Sequence, residues 1–103
     1  MAEKLTKADI IDSIRGSKVR LNSLGVKSIG LFGSFARGET TLESDVDILV
    51  EFDPTKRTFD NFIDTCFLLE KLFNCKVELV TTDSISPYIK PYILKEVEYV
   101  PLN

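Results

Sequence analysis

The chain has 103 residues, 44% of them apolar and 28% charged, which fits one domain with a modest core and excludes a catalytic unit carrying large accessory domains. Sixteen acidic against thirteen basic residues leave a net charge of −3, which opposes loose attraction to a phosphate backbone and disfavours nucleic acid as a direct partner. Histidine is absent, so His-based acid–base catalysis, Ser-His and Cys-His triads and the common zinc sites are removed together.

From Thr6 to Leu24 the apolar positions Ile10, Ile14, Leu21 and Leu24 recur at helical spacing, with Thr6 and Asp9 placed as a capping pair and Gly25 where a helix ends. Gly16 and Ser17 weaken the middle of this predicted helix. The run 27–32 has strand length and stops at Gly33, and Ser34-Phe35-Ala36-Arg37 is room for about one helical turn before Gly38. Residues 45–52 form the best strand pattern in the chain, with polar residues at 45, 47 and 51, followed by a polar turn over 53–57. Thr58 can cap a second helix whose apolar face is Phe59, Phe62, Ile63, Cys66, Leu69, Leu72 and Phe73, and Asn74 can end it. Residues 75–80 alternate as a third strand, with Val77 and Leu79 on one face and Lys76, Glu78 and Val80 on the other.

Pro87 and Pro91 delay the last predicted helix to about Lys90, from where it runs to about Glu98. Strands separated by helices indicate an α/β layer structure around a sheet of three or slightly more strands, with parallel and mixed order both open. Most of the seven Phe and three Tyr fall at core spacing. No apolar run approaches the roughly 18 residues of a membrane span, and residues 1–6 carry no secretory pattern. A cytoplasmic protein with no membrane contact is therefore expected, with Cys66 and Cys75 as reduced thiols.

Asp45 and Asp47 lie two apart on a strand, so both side chains leave the same face with Cα atoms roughly 6–7 Å apart. Two carboxylates about 5 Å apart at an effective dielectric near 20 repel by roughly 3 kcal/mol. Either both are solvated on an exposed face or a cation lies between them, and an all-oxygen donor set suits a hard ion such as Mg²⁺. Gly33-Ser34 sits where a strand turns into a short helical turn, which is either a plain turn or a cradle whose N–H groups and hydroxyl meet a phosphate. Glu78 is either an exposed edge carboxylate or faces the Asp pair across the sheet. Three carboxylates beside a phosphate-holding turn are the parts for two-metal phosphoryl or nucleotidyl transfer. Arg37 could clamp triphosphate oxygens or pair with Glu39, Glu43 or a strand carboxylate to hold the loop. Lys56 and Arg57 fit a solvated loop better than a closing one.

Gly33-Ser34-Phe35-Ala36-Arg37-Gly38 followed by Ser44-Asp45-Val46-Asp47-Ile48-Leu49-Val50 closely resembles the signature of the minimal nucleotidyltransferases, the smallest members of the DNA polymerase beta-like superfamily. The resemblance spans nearly the whole chain. It implies the nucleotidyltransferase fold, an α/β (α+β) arrangement of a small mixed β-sheet flanked by helices, as a single domain over 1–103. It further implies that Asp45, Asp47 and Glu78 ligate a pair of Mg²⁺ ions as the catalytic carboxylates. Gly33 and Ser34 would hold the β- and γ-phosphates of ATP, with Arg37 either joining them or pairing within the loop. Glu78 stands where the family usually has a third Asp, and one extra methylene can displace a catalytic carboxylate by more than about 1 Å.

Members of this family commonly act as the antitoxin of a toxin–antitoxin pair. The resemblance therefore implies transfer of AMP from ATP to a tyrosine hydroxyl of a HEPN ribonuclease toxin. The alternative is a weakly active or inactive module that neutralises its partner by occlusion, which the Glu78 departure favours. Template-directed polymerases and antibiotic-modifying enzymes share the motif but need further domains for DNA or drug. The acceptor, the nucleotide preference and the choice between monomer and homodimer stay open.

Overall fold

The protein, described here as a computed structural model, is defined over residues 5–40 and 45–102. Ser44 and Glu43 lie outside the described residues. Helix α1 (Lys7–Gly16) starts at the anticipated capping box, in which Thr6 Oγ1 accepts from the Asp9 N–H at 3.1 Å and Asp9 Oδ2 accepts from the Thr6 N–H at 3.0 Å. The single predicted helix over 6–24 is two. Ser17, at φ −111° and ψ 14°, breaks the run after Gly16, and α2 (Lys18–Ser23) restarts beyond it. Both pieces still turn the predicted apolar positions inward, with Ile10, Ile14 and Leu21 fully buried.

Strand β1 (Val26–Phe32) leads through Gly33 into the one-turn α3 (Ser34–Arg37), and β2 (Val46–Phe52) follows. Helix α4 (Phe59–Phe73) has the expected Thr58 cap, whose hydroxyl accepts from Asn61 N–H at 3.1 Å, and ends at Asn74 in the left-handed region. Its buried face is rotated from the predicted one. Thr65, Leu69 and Phe73 point inward, whereas Phe59 and Leu72 are exposed. Strand β3 is Val77–Thr81 and α5 is Lys90–Glu96. The last helix thus ends two residues early, and Glu98–Val100 form a fourth strand, β4. All three tyrosines, Phe59 and Phe67 are exposed, so half of the aromatic residues lie at the surface rather than most of them in the core.

The sheet is four-stranded and mixed, in the order β3-β2-β1-β4, with β2 and β3 parallel and the other pairs antiparallel. One face carries Ile29, Leu31, Val46, Ile48, Val50 and Phe52 into the core with α1, α2 and α4. These strand directions bring the end of β1 and the starts of β2, β3 and β4 to one end of the sheet. No helix among the described residues is long and apolar enough to cross a membrane. Both cysteines are free thiols.

Thr6→Ala removes a reciprocal cap at an exposed helix start, so urea unfolding should show a loss of about 1 kcal/mol, with no change in the sheet signals of an NMR spectrum.

Candidate active site

Asp47, the second residue of β2, lies opposite Phe32 on β1 and Glu78 on β3. Immediately after Phe32 the chain adopts φ +76° and ψ −155° at Gly33, a backbone conformation that L side chains rarely adopt. A Cβ on Gly33 would fall 2.0 Å from Asp47 Oδ2 and 2.8 Å from its Cγ. The carboxylate is thus seated directly on the bare backbone of the Gly33-Ser34 turn. The predicted phosphate turn and the predicted metal ligand are in van der Waals contact.

Burial pushes the Asp47 carboxyl up from its ordinary value of 3.8 to about 6, with further contributions from Glu78, which lies within hydrogen-bonding reach, and from the charge of Asp45. Arg37 acts in the opposite sense through its positive charge. Asp45 directly precedes β2 and is half-buried, and Glu78 is exposed on β3. The structure therefore brings Asp45, Asp47, Glu78, Gly33 and Arg37 into one neighbourhood, with half-buried Ser34 opening α3 beside Gly33.

Arg37 is held by carboxylates. Its Nε donates to Glu39 Oε2 at 3.1 Å and its Nη1 to Glu96 Oε2 at 3.0 Å. Glu39 was one of the partners expected from sequence, but Glu96 was not. Its role arises from the approach of a residue 59 positions away, which no local pattern signals. Lys56 and Arg57 lie past the far end of β2, where Arg57 pairs with Asp83 and the Lys56 stem covers Gly25. They take no part in the acidic cluster.

Among the described residues no three acidic side chains converge closely enough to cage a metal ion by themselves. The donor set fits Mg²⁺ nonetheless, because that ion takes one or two protein carboxylates and completes its octahedron with waters and substrate phosphates. Burial is the main cause of the raised Asp47 pKa, and the neighbouring Glu78 and Asp45 carboxylates add to it.

A profile of the nucleotidyltransferase domain matches residues 11–100. The chain belongs to the nucleotidyltransferase family, in its minimal branch. This minimal nucleotidyltransferase is similar, at 39% identity over 97 residues, to the protein adenylyltransferase MntA of Thermococcus cleftensis, the match covering 93% of this chain and 97% of that one. It is 46% identical over 85 residues to a Methanocaldococcus jannaschii chain provisionally named protein adenylyltransferase MJ1379, covering 81% and 85% of the two. Among solved structures, one provisionally described as a minimal nucleotidyltransferase superposes with a TM-score of 0.73 at 26% identity, over 94% of this chain and 98% of that one. A toxin–antitoxin crystal structure with AMP-PNP shares the fold, with a TM-score of 0.66 at 24% identity, over 92% and 72% of the chains.

In the metal-free nucleotidyltransferase, Asp47→Asn should stabilise the fold at pH 7. The sign follows from the raised pKa: between pH 3.8 and about 6 the native state holds a proton that the unfolded chain releases. This site's contribution is full below pH 3.8 and is lost as pH rises through about 6. Denaturation midpoints measured across that range should fall in the wild type relative to the Asn variant. Gly33→Ala should cost on the order of 2 kcal/mol through strain and the clash with Asp47. In a double-mutant cycle with Asp47→Ala the two changes should be non-additive, because the first atom met by the new methyl is then gone.

Proposed function

We propose that this nucleotidyltransferase transfers AMP from ATP to a tyrosine hydroxyl of a partner protein, a HEPN ribonuclease toxin, and thereby acts as its antitoxin. The observation that carries the reading is the seating of the Asp47 carboxylate on Gly33, which joins a candidate metal ligand to a candidate triphosphate turn. The names of the relatives, protein adenylyltransferases at 39% and 46% identity, support the acceptor class.

In this reading Asp45, Asp47 and Glu78 would share a pair of Mg²⁺ ions, with substrate phosphates and waters completing their coordination, and when bound the ions would supply charge neutralisation for the triphosphate and activation of the acceptor hydroxyl. The Gly33-Ser34 turn binds and orients the β- and γ-phosphates, which leaves the α-phosphorus beside the acidic cluster. The acceptor oxygen bonds to that phosphorus, the α–β bridging bond breaks, and pyrophosphate leaves with the electron pair while the hydroxyl proton passes to solvent. Exposure of Glu78 leaves this edge of the cluster open to an incoming acceptor.

With the neighbouring toxin, Mg²⁺ and ATP labelled at the α-phosphate, label should appear on the toxin, and γ-labelled ATP should leave none. Asp45→Asn/Asp47→Asn should reduce transfer by at least about 10³-fold while the fold is retained. Transfer that survives in this double variant would overturn the metal assignment. A second reading, neutralisation by occlusion, draws on Glu78 in place of the Asp usual in the family. Under it the wild-type chain inhibits the toxin without labelling it, and Glu78→Asp creates or strongly raises transfer.

A further inference from the structure

The four residues of α3 run from Ser34 in the turn to Arg37, and they are gripped by residues far along the chain. Glu96 is the last residue of α5 and is 28% exposed at its side chain. Its Oε1 accepts from the Gly33 N–H at 3.1 Å and from Arg37 Nη1 at 3.3 Å, while its Oε2 accepts from the same Arg37 nitrogen at 3.0 Å. Two residues on, Glu98 pairs with Lys7, and Lys7 Nζ also donates to the Ala36 carbonyl at 3.4 Å. Both ends of α3 are therefore tied to the segment joining α5 to β4.

Glu96 is placed against local preference. The end of a helix carries partial negative charge and favours Lys, Arg or His over a carboxylate. The compensation lies in its partners, since bonds to a charged acceptor are the stronger kind. Arg37 thus has two carboxylate partners, Glu39 and Glu96, and a phosphate reaching its guanidinium would have to displace one of them.

We infer that Glu96 is a positioning residue for the nucleotide-binding turn, fixing the Gly33 backbone against Asp47 and holding Arg37 as a strut to α5. This deepens the reading given under Proposed function and rests on it. The Gly33 N–H is already committed to Glu96, so phosphate contact falls on Ser34 and the residues after it. The critical feature is the reach of one oxygen, because Oε1 alone serves both Gly33 and Arg37.

Three variants separate reach from charge: Glu96→Gln keeps the oxygen at that distance without the charge, Glu96→Asp keeps the charge but withdraws it by one methylene, and Glu96→Ala removes both. The full chain is titrated with Mg²⁺-ATP by calorimetry, and exchange of the Gly33 amide is followed by NMR. The Gln variant should stay within about threefold of wild type, while the Asp and Ala variants bind ATP about tenfold more weakly and exchange the Gly33 amide about tenfold faster, the upper end of the worth of one hydrogen bond. In toxin labelling the loss should fall on KM for ATP, with kcat within about threefold. The reverse order, with Asp near wild type and Gln impaired, overturns the inference, as does an Ala variant that binds ATP like the wild type. If the wild-type chain itself binds no ATP, the functional reading fails first, an outcome distinct from these.

Discussion

Everything at the candidate site depends on one steric fact: a carboxylate occupies the space where Gly33 would otherwise carry a side chain. The contact forces two features at once. Position 33 must tolerate a positive φ and have no Cβ, and Asp47 must give up part of its hydration. The raised Asp47 pKa is the electrostatic counterpart of this close approach, with Glu78 and Asp45 adding like charge around a half-buried group. A fold this small has little stability to spare for such a cluster, so the arrangement is a cost that packing does not explain.

The mixed sheet is what makes the contact available. Because β1 and β2 are antiparallel, the end of one meets the beginning of the other, and Phe32 lies opposite Asp47. Because β2 and β3 are parallel, joined through α4, the early residues of both strands share an end, and Asp47 lies opposite Glu78. A wholly antiparallel meander would have sent the start of β3 to the other end of the sheet, beside the Lys56–Arg57 turn.

What could be read from the sequence was what local geometry controls. Thr6 with Asp9 and Thr58 mark helix starts through bonds to neighbours within a few positions, Asn74 ends a helix in the left-handed region, and the glycines at 33 and 38 bound a single turn. The Asp45-x-Asp47 spacing was legible as a strand-alternation pattern, although Asp45 stands just before β2 rather than within it. Features that depend on distant partners were not legible. Strand β4 has only three residues and follows α5 after the single residue Val97, so its pairing with β1 leaves no alternating pattern to find. Gly30 belongs with it, since a side chain there would run into Val97 and Tyr99. Glu96 had no reason to stand out among sixteen acidic residues until Gly33 and Arg37 were seen beside it. The break at Ser17 and the rotated face of α4 are smaller misses, where burial of Thr65 by way of a 2.7 Å bond to the Asn61 carbonyl replaced an expected apolar contact.

The pairing of β4 with β1 also sets an order of events during synthesis. Chains emerge from the ribosome beginning at the amino terminus, and the earlier elements can start to fold while later ones are still being made. Gly33, Asp45 and Asp47 emerge well before Glu96 and the strand that follows it. The turn cannot take its braced form until residues 96–100 have been released and have closed on β1. A nascent chain of this kind holds the acidic cluster without its support, and the assembled site coincides with completion of the sheet.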